Sequence, residues 1–185
     1  ATGFIGRNIV ERLAADPAHQ ITAQYHNRPP FDAQGVIWVQ ADLRDVSQVD
    51  KVVAGAQVII QAAAITSGAA DIVARPHIHI TDNAVMNSLL FRAAHDHGVG
   101  HFIVFSCSIL YLSSDEARSE EDFTGEVHLP YHGGAWNKIY FEKMAEFFAG
   151  LGRTRYTVLR HSNIFGPYDK YDPNRSHMFG ATIHK

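Results

Sequence analysis

Gly3 and Gly6 stand three residues apart at the head of an amphipathic run, Phe4 to Ala15, with Ile5, Ile9, Val10 and Leu13 on one face. A glycine pair opening a helix, with a short strand behind it (Ile21 to Tyr25), admits few architectures. Helix and strand signals then alternate. Val36 to Gln40 reads as a strand, Val46 to Ala54 as a helix and Val58 to Ala62 as an apolar strand buried on both faces. Asp82 to His97 reads as a long helix with Gly98 at its end, and Phe102 to Ser106 as the next strand. Ala135 to Leu151 reads as a second long helix ending at Gly152, followed by a strand from Tyr156 to Arg160. Such alternation predicts βαβ units, hence an α/β fold with a doubly wound parallel sheet, a Rossmann fold.

The glycine spacing carries a function as well as a fold. Gly3 and Gly6 fit the second and third glycines of a G-x-x-G-x-x-G turn, in which Phe4 and Ile5 begin the helix. Glycine is needed twice there, once for close approach of a pyrophosphate to the backbone and once for tight packing of helix on sheet. The helix start then offers free N–H groups and the positive dipole end to the phosphates. No strand precedes the turn, so the sequence reads as a piece of a longer protein. Its first strand and C-terminal substrate region are expected outside these 185 residues.

The end of the second strand of such a fold commonly selects the cofactor, a carboxylate accepting from a ribose hydroxyl and an arginine pairing with a 2′-phosphate. Tyr25-His26-Asn27-Arg28 contains no carboxylate, and Arg28 tilts the reading from NAD toward NADP. Asp42, with Leu43 beside it, is placed to meet the adenine edge; its alternative role is a helix cap. Ala62, Ala63 and Ala64 leave room for a cofactor or serve close packing.

Composition excludes several other classes. Net charge is −3 and charged residues make up 19% of the chain, which argues against nucleic acid as a partner. No apolar run approaches the ~18 residues that span a bilayer, so no membrane partner is expected. Cys107 is the single cysteine, which rules out an internal disulfide framework and points to a reducing, cytoplasmic setting. None of the twelve histidines lies in His-Glu-x-x-His, and His77/His79 and His95/His97 lack a ligand framework, so no metal is expected.

Ala1-Thr2-Gly3-Phe4-Ile5-Gly6, Ala41-Asp42-Leu43, Ala62-Ala63-Ala64 and Asn163-Ile164-Phe165-Gly166-Pro167 together resemble the extended short-chain dehydrogenase/reductase family of epimerases, dehydratases and reductases. The segments Asp82 to Tyr111 and Asn163 to His177 look most like its GDP-L-fucose synthase branch. The resemblance implies a nucleotide-sugar epimerase/reductase using NADP or NAD. Alternatives are an NAD-dependent nucleotide-sugar 4-epimerase or dehydratase and a non-catalytic NADP-binding protein. It also implies a dinucleotide-binding domain over 1–167, the start of a substrate-binding region over 168–185, and a homodimer formed through the two long helices.

The family's Y-x-x-x-K pair transfers unevenly. Lys138 fits the lysine, with Glu142 four residues on, but Gly134 stands where the tyrosine belongs. Tyr131, seven residues before Lys138, is the nearest tyrosine, provided that Gly133 and Gly134 break the helix and let it fold back. The hydroxyl position falls jointly on Ser108 and Cys107, with Ser106 a third choice. His177 is implied as an acid/base and substrate residue, and Asn163 as a substrate contact.

Overall fold

The computed structural model describes residues 1–66, 74–171, 179–180 and 182. Among the described residues five strands and four α-helices follow in the order α1 (Phe4–Ala14), β1 (Ile21–Tyr25), β2 (Val36–Gln40), α2 (Val46–Val53), β3 (Val58–Gln61), α3 (Thr81–Asp96), β4 (His101–Cys107), α4 (His132–Gly150) and β5 (Arg155–His161). Every strand pairing is parallel. β1 pairs with β2, and β3, β4 and β5 form a second ladder in that order. This is the α/β arrangement of a Rossmann fold.

Local chemistry sets the element ends. Asp45 caps α2 by accepting from the Gln48 N–H at 3.1 Å. Gly98 and Gly152 follow α3 and α4 with φ of 66° and 72°, a conformation glycine adopts without a Cβ penalty. The core lies where α2, α3 and α4 meet β4. Val49, Val53, Leu90, Phe91, Val99, Phe102, Phe141 and Ala145 are all buried there. Phe91 stacks on Phe102 at 4.9 Å and on Tyr156 at 5.4 Å, which ties α3 to the central and outer strands of its sheet. α1 adds no residue to this cluster and packs on β1.

Two expectations are corrected. β3 is not buried on both faces: Val58 is 53% exposed, and Gln61 is the one buried residue of the strand. β3 pairs with β4 on one side only. Its other side borders a cavity of about 120 Å³ between the two sheets, lined by Ala1, Val10, Gln24, Ile59, Ile60 and Gln61 among others. α4, for its part, begins at His132 and runs unbroken through Gly133 and Gly134. A Cβ on Gly133 would lie 2.4 Å from Ile80 Cδ1, so this glycine serves a close helix approach and does not break the helix. Among the described residues no helix is long and apolar enough to cross a membrane.

Candidate active site

Because all strands are parallel, their C-terminal ends share one edge, and α1, running back along β1, places its N-terminus at that edge too. Ligands of open α/β sheets bind there. Gly3 caps α1 with extended backbone and no side-chain capping bond, and space around it is open, with nothing within 4 Å of a hypothetical Cβ. Gly6 is the opposite case, since a Cβ there would sit 2.7 Å from the Ala1 carbonyl oxygen. An uncapped helix start and a backbone packed too tightly for any other residue fit a phosphate cradle.

At the ends of β1 and β2 lies a charged cluster. Arg44 clasps Asp42 through Nε (2.9 Å to Oδ1) and Nη2 (2.7 Å to Oδ2), and its Nη1 reaches Asp82 at 2.9 Å. His26 Nε2 stands 3.7 Å from the same Asp42 carboxylate. The hydrogen bonds from Arg44 hold the Asp42 carboxyl down at about 2. Asp42 is therefore anionic and fixed, and Asp45 takes the helix-cap role instead. Leu43 points its side chain into the core, and Arg28 is exposed beyond β1. Ala62 and Ala63 are half-buried and Ala64 exposed after β3; the Gln61 side chain donates to the Ala63 carbonyl and accepts from its N–H, both at 3.1 Å.

The end of β4 gathers the other candidates. Lys138, on α4, donates from Nζ to the Phe105 carbonyl at 2.6 Å. Burial pushes its pKa down, opposed by Cys107 and Glu142. Burial pushes the half-buried Cys107 thiol up, and the Lys138 charge opposes that shift. Ser108 follows, exposed, at the start of a 3₁₀ turn spanning Ser108–Leu110. The buried Ser106 hydroxyl donates to Glu142 Oε1 at 2.5 Å, so it is already committed. Tyr131 ends a 3₁₀ turn directly before α4, its ring 6.0 Å from His128. The unbroken helix puts it two turns, about 10 Å, ahead of Lys138. Asn163 is exposed just past β5, and His177 lies outside the described residues.

One group of residues beside the site was not anticipated. Arg160 of β5 forks onto Glu142 (Nη2 to Oε2, 2.6 Å), donates to the Tyr111 hydroxyl at 2.6 Å and holds the Glu120 carbonyl at 2.9 Å. This network binds α4, one turn after Lys138, to β5 and to the loop after β4. The signal available in the sequence was the Lys138–Glu142 spacing alone. Among the described residues no three His, Cys, Asp or Glu side chains gather as a metal site.

Residues 1–185 match the NAD-dependent epimerase/dehydratase family over their whole length. The chain is 28% identical over 196 residues to dTDP-4-dehydro-6-deoxy-D-allose reductase of Streptomyces bikiniensis, covering 100% of this chain and 60% of that protein. It is 27% identical to GDP-L-fucose synthase of Azorhizobium caulinodans over 99% of the chain and 56% of the relative. The chain thus spans less than two thirds of these curated relatives. Its fold is similar to that of the UDP-N-acetylglucosamine 4-epimerase of Methanobrevibacter ruminantium M1, with TM-score 0.83 and 22% identity over 98% of this chain and 58% of the other. The chain belongs to the NAD-dependent epimerase/dehydratase family.

Proposed function

We propose that this chain is the cofactor-binding part of a cytoplasmic nucleotide-sugar epimerase/reductase resembling GDP-L-fucose synthase, working with NADP or NAD. The observation that carries the reading is the position of Lys138. Its amine lies sunk at the end of β4, beside Cys107, on the same sheet edge as the uncapped glycine turn. In this reading residues 1–167 hold the dinucleotide, and 168–185 begin the part that grips the sugar.

A bound dihydronicotinamide supplies hydride to a sugar carbonyl carbon. The chain's own residues do the rest. Gly3 and Gly6 admit the pyrophosphate, with Phe4 and Ile5 opening the helix whose N–H groups face it. Asp42 and Leu43 border the adenine, Arg28 pairs with a 2′-phosphate, and Ala62 to Ala64 leave room for the cofactor. Lys138 holds the nicotinamide ribose, and solvent supplies through the exposed Ser108 the proton that the sugar oxygen takes up as the hydride arrives. Ser108 or Cys107 hydrogen-bonds that oxygen. Asn163 and His177 serve the substrate side, with His177 moving a proton at a carbon next to the carbonyl. Tyr131, two turns from Lys138, stands toward the substrate end of α4.

NADPH binding followed by NADPH oxidation with a nucleoside-diphosphate 4-keto-6-deoxy sugar is the test. Consumption of one NADPH per sugar reduced is expected. Sugar interconversion with no net NADPH consumption would sink the reductase reading in favour of a 4-epimerase. A second reading, a non-catalytic cofactor-binding protein, is favoured by the glycine at position 134; cofactor binding with no turnover of any nucleotide sugar would support it. A homodimer is part of the proposal. Trp136, Tyr140 and Phe147 are exposed on one face of α4, and Tyr140 Oη lies 3.4 Å from Ser88 Oγ of α3. Light scattering that gives a monomer mass would remove the dimer.

A further inference from the structure

The segment leaving β5 is gripped by α1. The Arg7 guanidinium lies between two rings, 4.5 Å from the Phe31 centroid and 3.7 Å from that of Tyr168. Its Nε is held by Glu11 at 2.9 Å. Asn8, the next residue, donates from Nδ2 to the Phe4 carbonyl at 3.0 Å and to the Pro167 carbonyl at 2.8 Å. Tyr168 reaches Arg7 with φ of 69°, the one positive φ among the described non-glycine residues. That conformation is costly for an aromatic residue, so the contacts of its ring hold it there. The segment closes on itself as well: the Asp169 N–H and the Tyr171 hydroxyl both donate to the Gly166 carbonyl, at 3.2 and 3.1 Å.

The first turns of α1 therefore face two ways. The Arg7 N–H closes a helical hydrogen bond on the Gly3 carbonyl at 2.8 Å, while the Arg7 side chain carries Tyr168 and Phe31. The glycine cap of the phosphate cradle and the segment after β5 are thus linked through Arg7, with the Asn8 bond to Pro167 beside it. We propose that Arg7 is a positioning residue that couples occupancy of the glycine turn to the order of residues 165–171. The inference rests on the reading of that turn as a dinucleotide cradle. An anion that fixes the helix start fixes the platform on which Tyr168 and Pro167 rest. Reciprocity then requires the docked segment to tighten the turn around its anion.

Hydrogen exchange on the full chain, with and without saturating NADP, tests this in the natural protein, Arg7→Met, Arg7→Lys and Tyr168→Gly. In the natural protein NADP is expected to slow exchange over 166–171 by about fivefold or more. In Arg7→Met that protection disappears and the NADP Kd rises by about the same fivefold factor. Arg7→Lys retains part of both, because an ammonium also sits on an aromatic face. Tyr168→Gly, which accepts the positive φ but lacks the ring, repeats the loss and guards against a folding defect in Arg7→Met. Equal protection by NADP in the natural protein and Arg7→Met overturns the coupling. So does a raised Kd with the NADP-induced protection intact, which would make Arg7 a simple ligand contact. Failure of the natural protein to bind NADP or NAD defeats the cradle reading and the coupling with it. Loss of coupling alone leaves the cradle reading standing.

Discussion

Lys138 Nζ and the Phe105 carbonyl oxygen lie 2.6 Å apart, a bond that draws a lysine of α4 across to the end of the central strand. Burial makes that ammonium easier to deprotonate than in the unfolded chain. The sign follows: the buried charge costs stability below its folded pKa, and the cost is relieved as pH rises through that value. Replacing it by Met removes both the cost and the bond to Phe105, opposing terms each on the order of 1 kcal/mol. Lys138→Met is therefore expected to melt near the parent temperature while losing about 100-fold or more in kcat. Calorimetry and NADPH-linked assays check the two halves, and unchanged kcat would remove Lys138 from the chemistry.

Position 134 offers a constructive test. It precedes Lys138 by one helical turn, and a Cβ there meets nothing closer than Ile109 Cδ1 at 3.7 Å. Gly134→Tyr restores the family's tyrosine spacing at a position where a Cβ makes only ordinary contact. Turnover by Gly134→Tyr is expected to exceed that of the parent by about tenfold or more. Tyr131→Phe, two turns away, is expected to stay within about tenfold of the parent, whereas a loss of ~100-fold would identify Tyr131 as the proton donor after all.

Gly6 leaves no space for a side chain. Gly6→Ala drives a methyl group into the Ala1 backbone, with the first contact at 2.7 Å. Overpacking of this kind costs about 1–3 kcal/mol, and here the shift falls on the turn itself. Lower thermal stability together with weakened NADP binding is expected. Fluorescence titration showing parental affinity would contradict the role given to this glycine.

The Glu142–Arg160 pair is largely shielded, with side chains 15% and 19% exposed. Breaking it from one side strands a charge. Arg160→Met should destabilise the protein by about 3 kcal/mol, toward the low end for a buried pair because some solvent reaches it. Glu142→Leu combined with Arg160→Met should recover much of that loss, since two apolar groups leave no orphan charge. Denaturant unfolding of Arg160→Met, Glu142→Leu and the double variant distinguishes this pattern from simple additivity.

Asp42 makes stability depend on acid. Its folded pKa of about 2 lies below the ordinary 3.8, so its contribution is complete above that ordinary value and is lost as pH falls through about 2. The gap in melting temperature between the parent and Asp42→Asn should be widest near neutrality and close as pH drops from 4 toward 2. A gap that persists at pH 2 would assign the effect to packing.

Much of the fold was readable along the chain because periodicity is local. β1 and β2 fall on the expected residues, and α1, α2 and α3 end within one residue of expectation. The first turn of α4 was not readable, since Gly133-Gly134 looks like a break until Ile80, more than fifty positions earlier, arrives against it. The candidate site divides in the same way. The glycine turn and Lys138 are legible from spacing, whereas the Arg44 clasp on Asp82 and the Arg160 hold on Tyr111 join distant segments. Neither contact has a period that a single sequence can display. The commitment of Ser106 to Glu142, which takes it out of the hydroxyl candidates, likewise emerged only in three dimensions.

The aromatic cluster around Phe91 has a consequence for local opening. It clamps α3 onto β4 and β5 by stacking Phe91 on Phe102 and Tyr156. Amides of β4 are then expected to exchange only through unfolding of the whole, so the strand end that receives Lys138 stays formed while exposed loops open.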